Sequence, residues 1–270
     1  MKTVMITGAT DGIGKETAKE LARRNYNIII HGRKLKKAKM LKNILEKINN
    51  QPEYYIAIAD FSSQQQVINM ALELKNDHDK INVLINNAGT YQNKLQYSED
   101  GIEKTLAVNY HSHYILTLML LDLIQKEDYS RIINFSSMVH SSNIDLDNIW
   151  KPDDYSGNKA YSDSKLCIIL FTFYLAKPLD NTTVNCLHPG VINTKLLKKG
   201  WGIGGSSLKK GAKTPIYLAD SDKVAGETGN YYAQKRKKQP ARIAYNEKLQ
   251  KKLWKKSKEQ IRYDLDISIK

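Results

Sequence analysis

The chain has 270 residues, 41% hydrophobic and 26% charged, with a formal net charge of +14. That length carries one large α/β domain or two small ones, and the apolar content excludes wholesale disorder. The basic balance raises nucleic acid and anionic membranes as partners, but it is concentrated late, with eleven Lys or Arg against the single acid Glu247 between Lys235 and Lys258.

We read that stretch as a solvated basic face, so no nucleic-acid partner is expected and only weak association with an anionic surface. Cys167 and Cys186 lie in apolar runs without metal-ligand spacing and read as reduced core residues. The longest membrane-like run, ILTLMLLDLI (115–124), is too short to span a bilayer and is broken by Asp122. A strand beginning at Lys2 leaves no room for a secretory leader, and a cytoplasmic protein is expected.

In chain order, short apolar runs alternate with helix-length segments. KTVMIT (2–7) precedes ETAKELARRN, NIIIH (27–31) precedes LKKAKMLKNILEKIN, and YYIAIAD (54–60) precedes QQQVINMALELKND. INVLIN (81–86) precedes a long segment over 101–126, RIINFSS (131–137) precedes a helix begun near Tyr161, and TTVNCLHPG (182–190) follows it. Six strands each followed by a helix predict a doubly wound parallel sheet, Rossmann-like, with helices on both faces of a single α/β domain. That domain spans residues 1–234, with a substrate loop at about 191–213; residues 235–270 are expected to form a basic, helical extension.

In such sheets the ligand lies beyond the strand carboxyl ends. After the first strand, TGATDGIG brings Gly8, Thr10, Asp11, Gly12, Ile13 and Gly14 to a helix start, where backbone N–H groups favour a pyrophosphate. Its spacing, G-x-x-x-G-x-G, departs from the general dinucleotide fingerprint. The second strand ends in HGRK, where an NAD site places an acid against the ribose; Arg33 and Lys34 instead suit a 2′-phosphate, which predicts NADP(H) over NAD(H). Lys36 and Lys37 read as an ordinary basic helix start. Asp60, followed by Phe61, accepts from an adenine amine or else caps the next helix with Ser62 or Ser63. NNAG brings Asn87, Ala88 and Gly89 to a turn tight enough to pass a flat ligand. Tyr161 and Lys165, four apart, share one helical face.

TGATDGIG, NNAG, the Ser136–Ser137 pair and Y-x-x-x-K at 161–165 occur in one order. Together they resemble the short-chain dehydrogenase/reductase family over about Lys2 to Leu218. NYHSHYILT, NFSSMVH, LHPGVINT and the tail pattern GNYY…LW…S resemble its retinol-dehydrogenase-like branch. The resemblance implies an NADP(H)-dependent oxidoreductase moving hydride between nicotinamide and a lipophilic carbonyl or alcohol. It implies Tyr161 as general acid/base, with Lys165 lowering its pKa and holding the nicotinamide ribose. Ser137, or Ser136 in its place, stabilises the substrate oxygen. Asn109 anchors a proton-relaying water or is purely structural. Pro189, Gly190, Val191 and Thr194 meet the nicotinamide side.

Leu196 and Trp201 are candidate substrate contacts in a segment, 195–213, that reads as a mobile lid or a disordered loop. Trp150 and Tyr155 are further substrate candidates. His111 and His113, two apart, do not form a metal pair, so no metal is expected. His140 and His188 are expected to support loops. The apolar residues of ILFTFYLA either pack in the core or build a four-helix dimer interface, giving a homodimer or homotetramer. The alternatives in function are a non-catalytic NADP(H)-sensing regulator and an epimerase or dehydratase of the same fold.

Overall fold

The computed structural model describes residues 1–126 and 129–263; residues 264–270 of the expected extension lie outside the described residues. Eight strands form one sheet: β1 (Thr3–Ile6), β2 (Asn27–Gly32), β3 (Tyr54–Ile58), β4 (Val83–Asn86), β5 (Ser130–Phe135), β6 (Thr182–His188), β7 (Tyr231–Ala233) and β8 (Arg236–Lys238). Their spatial order is 3-2-1-4-5-6-7-8. All neighbours are parallel except β8, which returns antiparallel to β7. The order reverses between β1 and β4, which opens a crevice at their carboxyl ends.

Alternation along the strands divides the core in two. Met5, Ile29, Leu84, Ile132 and Val184 face a layer containing α3 (Gln64–Asp77), α5 (Ser112–Met119) and α7 (Gly157–Leu175). Val4, Ile6, Ile28, Ile30, Ile85 and Ile133 face the layer of α1 (Gly12–Arg23), α2 (Leu35–Ile48) and α9 (Leu208–Asp220). Both cysteines are free and buried.

Three elements differ from the sequence reading. The long segment over 101–126 is broken into α4 (Lys104–Leu106), a π-helical turn (Ala107–His111), α5 and α6 (Leu121–Ile124). The helix carrying Tyr161 begins a turn earlier than expected, because Ser156 caps it by accepting from Lys159 N. Ser162, Asp163 and Ser164 are therefore helix interior, not its start.

The boundary after residue 234 falls inside the β7–β8 hairpin, whose turn residues Gln234 and Lys235 take φ values of 51° and 63°. β8 is the exposed sheet edge, and its Arg-Lys-Lys sequence is charge that discourages further strand pairing. Beyond it, α10 (Glu247–Glu259) packs across α7 with Leu253 and Ser257 buried. Its apolar face was hidden from sequence by the lysines between.

Buried Arg131 on β5 donates from Nη1 to Leu218 O at 2.9 Å and Ser221 O at 3.0 Å, terminating α9. Replacing it by Met leaves both carbonyls without that donor. Arg131→Met should lower stability by about 2 kcal/mol in urea unfolding.

Candidate active site

The switch-point crevice is a cleft of about 700 Å³. One wall is the glycine loop. Gly8 and Gly12 adopt φ values of +64° and +55°, and a Cβ on Gly14 would sit 2.6 Å from Gly8 O. The loop is held by His31, whose Nδ1 accepts from Gly8 N at 3.1 Å and whose Nε2–H therefore donates to Ala59 O at 3.1 Å. Burial pulls His31 down to about 4, and its ring stacks on Phe61 at 4.2 Å.

The NNAG turn packs on the same loop. Thr7 Oγ1 accepts from Asn87 N at 2.8 Å and Ala88 N at 2.9 Å, and lies 3.0 Å from His113 Nε2. His113 Nδ1 must donate to Asn109 O at 2.9 Å, so Nε2 is the acceptor of the Thr7 O–H. Asn109, in the π-turn, accepts from Thr90 N at 2.7 Å and donates to Thr90 O and Ser164 Oγ. Ser164 in turn donates to Tyr161 O. Asn109 thus ties the NNAG turn to the helix of Tyr161; π-turns of this kind recur at functional sites.

Tyr161, Lys165 and Ser137 all line the cleft. Lys165 Nζ donates to Phe135 O at 2.8 Å and lies 5.5 Å from the centre of the Tyr161 ring. Burial pulls Lys165 down to about 7 and pushes Tyr161 up to about 12, while hydrogen bonding with Ser137 works against the latter. The expected lowering of the Tyr161 pKa by Lys165 is thus not the state of the free protein. The ammonium sits over the ring in a dry site, where desolvation disfavours both charged forms. Ser136 Oγ donates to Lys165 O at 2.8 Å, which occupies it in packing β5 against α7. Ser137 O is fixed by Tyr231 OH at 3.2 Å and by His140 Nδ1 at 2.6 Å. His188 Nδ1 accepts from Met138 N, so both histidines hold loops.

At the other end, Arg33, Lys34, Asp60 and Phe61 line the cleft, joined by Lys37, which sequence reading assigned to a plain helix start. Asp60 Oδ1 accepts from Ser62 N and Oγ, leaving Oδ2 3.9 Å from Arg33 Nη1. Pro189, Gly190, Val191 and Thr194 line the far side, and Thr194 caps α8 (Lys195–Trp201). In the segment read as a mobile lid or a disordered loop, α8 is a formed helix: Lys195 pairs with Asp11, whose carboxyl it holds below the usual range, and Lys199 reaches Gln92 Oε1 at 2.8 Å.

Leu196 and Trp201 line the cleft, and Trp201 packs 5.3 Å from the Tyr161 ring. Tyr91, missed from sequence, lies 5.2 Å from Trp201 and 5.8 Å from Tyr161, with its hydroxyl on Asn158 Oδ1. Its adjacency to NNAG was the available signal.

Two substrate candidates are misplaced. Trp150 is buried behind the π-turn, 5.3 Å from the His111 ring, because its carbonyl accepts from Glu103 N at 2.7 Å. Tyr155 points its hydroxyl at Gln92 O and Glu103 Oε1, outside the cleft.

The residues fit a nicotinamide dinucleotide. The space off Gly12 is open but for Thr194 Cγ2 at 3.8 Å, and the first N–H groups of α1 lack helical partners there, with Gly12 N capped by Asp11 Oδ1 at 2.8 Å. A helix N-terminus at the centre and a cationic cluster at one end match a pyrophosphate and an adenosine.

The short chain dehydrogenase family model matches residues 2–201. The chain belongs to the short-chain dehydrogenase family. It is 35% identical over 276 residues to human retinol dehydrogenase 13, covering 95% of this chain and 83% of that one. It is 33% identical over 280 residues to human polyprenol dehydrogenase, covering 95% and 84% respectively. A crystal structure of a protein from Mycobacterium paratuberculosis superposes with a TM-score of 0.79 at 28% identity, over 96% of this chain and 93% of that one.

Within the family the chain falls in the retinol-dehydrogenase-like branch, an NAD(P)-dependent oxidoreductase acting by hydride transfer on CH–OH or C=O groups of small molecules. Among the described residues no helix is long and apolar enough to cross a membrane.

Lys165 supplies a pH test. Its folded pKa, about 7, lies below the ordinary 10.5, so the unfolded chain binds more protons between those values. Its contribution is present above pH 10.5 and lost as pH falls to 7. Urea stability of the free protein should rise across that window, by at most about 1.4 kcal/mol per pH unit from this group. Lys165→Met should flatten the rise.

Proposed function

We propose that the protein is an NADP(H)-dependent oxidoreductase of lipophilic carbonyls and alcohols, with Tyr161 exchanging a proton with the substrate oxygen. One observation carries the reading: Tyr161, Ser137 and Lys165 converge on a single cleft that Leu196, Leu197 and Trp201 of α8 also line. The nicotinamide supplies or accepts the hydride.

The chain's own groups do the rest. The Ser137 hydroxyl, on a carbonyl-pinned turn, donates to the substrate oxygen and stabilises the charge that develops there. Tyr161 is protonated at neutral pH, since burial pushes it up to about 12, and so meets a carbonyl as a ready acid. In the oxidative direction it must lose that proton, and the Lys165 ammonium beside its ring favours the tyrosinate. Trp201 and Leu196 exclude water and offer an apolar wall, which suits the lipophilic alcohols in the relatives' names.

Arg33 carries the NADP(H) preference. It is 69% exposed at the cleft mouth, no acid among the described residues approaches it closer than Asp60 Oδ2 at 3.9 Å, and Lys34 and Lys37 add cations for a 2′-phosphate.

Two measurements test this. Tyr161→Phe should keep NADPH affinity, read by cofactor fluorescence, and reduce kcat on a panel of aldehydes and ketones by about 10²-fold or more. Full turnover in that variant sinks the acid/base role. Arg33→Ala should raise the NADPH Kd by about tenfold while leaving NADH unchanged. Equal NADH and NADPH affinity in the parent protein refutes the cofactor preference.

A further inference from the structure

The apolar side of α5 and α7, which residues such as Phe171 and Tyr114 make suitable for a contact between copies, is already covered by this chain. Trp254 of α10 lies 5.1 Å from Tyr114, 4.8 Å from Tyr174 and 6.1 Å from Phe171. Leu253 is only 1% exposed there. The outer side of α10 presents Lys248, Lys251, Lys252, Lys255 and Lys258 to solvent; Lys252 pairs with Asp147 and Lys255 lies 3.9 Å from Glu259, and the remaining cations oppose close approach of a second copy.

The same segment grips the catalytic floor at two places. Ser257 Oγ donates to Leu253 O, so Tyr110 OH must donate to Ser257 Oγ across 2.6 Å. Ser257 O accepts from His111 Nε2 at 3.0 Å. Tyr110 and His111 directly follow Asn109 in the π-turn. Tyr231 OH donates to Ser137 O, and Ala241 N donates to His140 Nε2, whose Nδ1–H holds that same carbonyl.

We infer that the segment from Tyr231 to Ile261 stands in for a partner subunit, closing the α5–α7 face and bracing both the Ser137 turn and the π-turn, so that the active site is complete in one chain. Ser257 is a positioning residue: it touches no reacting group and acts through Tyr110 and His111. The catalytic half of this inference rests on the Tyr161–Ser137 reading above; the assembly half does not.

The full chain should sediment as a single-chain species across micromolar concentrations, with activity per chain independent of dilution. Tyr110→Phe keeps the ring packing and removes only the donor to Ser257. It should lower kcat about tenfold with NADPH affinity unchanged, since small misplacements are felt strongly in turnover. Ser257→Ala should do the same, and Ser257→Thr, which retains the hydroxyl, should restore turnover. A dimer or tetramer as the active wild-type form overturns the inference. So does wild-type kcat in Tyr110→Phe, whether or not Ser257→Ala folds. Absence of activity in the wild-type chain sinks the functional reading instead, and sedimentation then still decides whether the face is closed.

Discussion

The site depends on how closely the ends of β1 and β4 can approach. A Cβ on Gly8 would lie 3.0 Å from Ala88 Cα, and one on Gly14 would meet Asn87 Nδ2 and Gly8 O at 2.6 Å. Two turns packed so tightly leave little room for water, so their backbone donors must be satisfied from within. Thr7 does this with one hydroxyl, accepting two N–H groups and donating its own O–H to His113 Nε2. His113 fits only as a neutral ring protonated at Nδ1, and burial holds it far below its ordinary value. Its other bond fixes Asn109 O, and the Asn109 side chain reaches the helix of Tyr161 through Ser164. The wall that faces a phosphate and the helix that carries the proposed acid are thereby one hydrogen-bonded unit.

Much of this was legible from sequence because it depends on local rules. Apolar runs of strand length, glycines at a strand-to-helix turn and a Tyr–Lys pair one helical turn apart each follow from backbone geometry. The residues that lay beyond reach act at long separation. His31 and His113 are 82 positions apart and support the same loop, yet each appears in its own segment as one more polar residue in an apolar run. Trp150 and Tyr155 lie in the chain between the Ser137 and Tyr161 motifs proposed to be catalytic, but the route there passes behind the π-turn, so proximity in sequence misled. α10 was hidden differently. Its lysines dominate its composition, whereas Leu253, Trp254 and Ser257 alone decide which way it faces.

Burial sets the character of the chemistry. In the free protein the dry cleft floor holds Tyr161 protonated and pulls Lys165 toward neutrality, so neither charge of the proposed catalytic pair is favoured at rest. The lid contributes to that dryness through Trp201, which shields the Tyr161 ring, and it is fastened by Lys195 on Asp11 at the loop. That ion pair is exposed and weak, as surface pairs are. A latch of that strength can yield when ligand enters, while the buried network beneath, held by several hydrogen bonds at once, yields less readily. The fold therefore places its rigidity under the reacting groups and its compliance above them. An oxidoreductase that must admit a large cofactor yet hold a proton donor to within a fraction of an ångström requires that division.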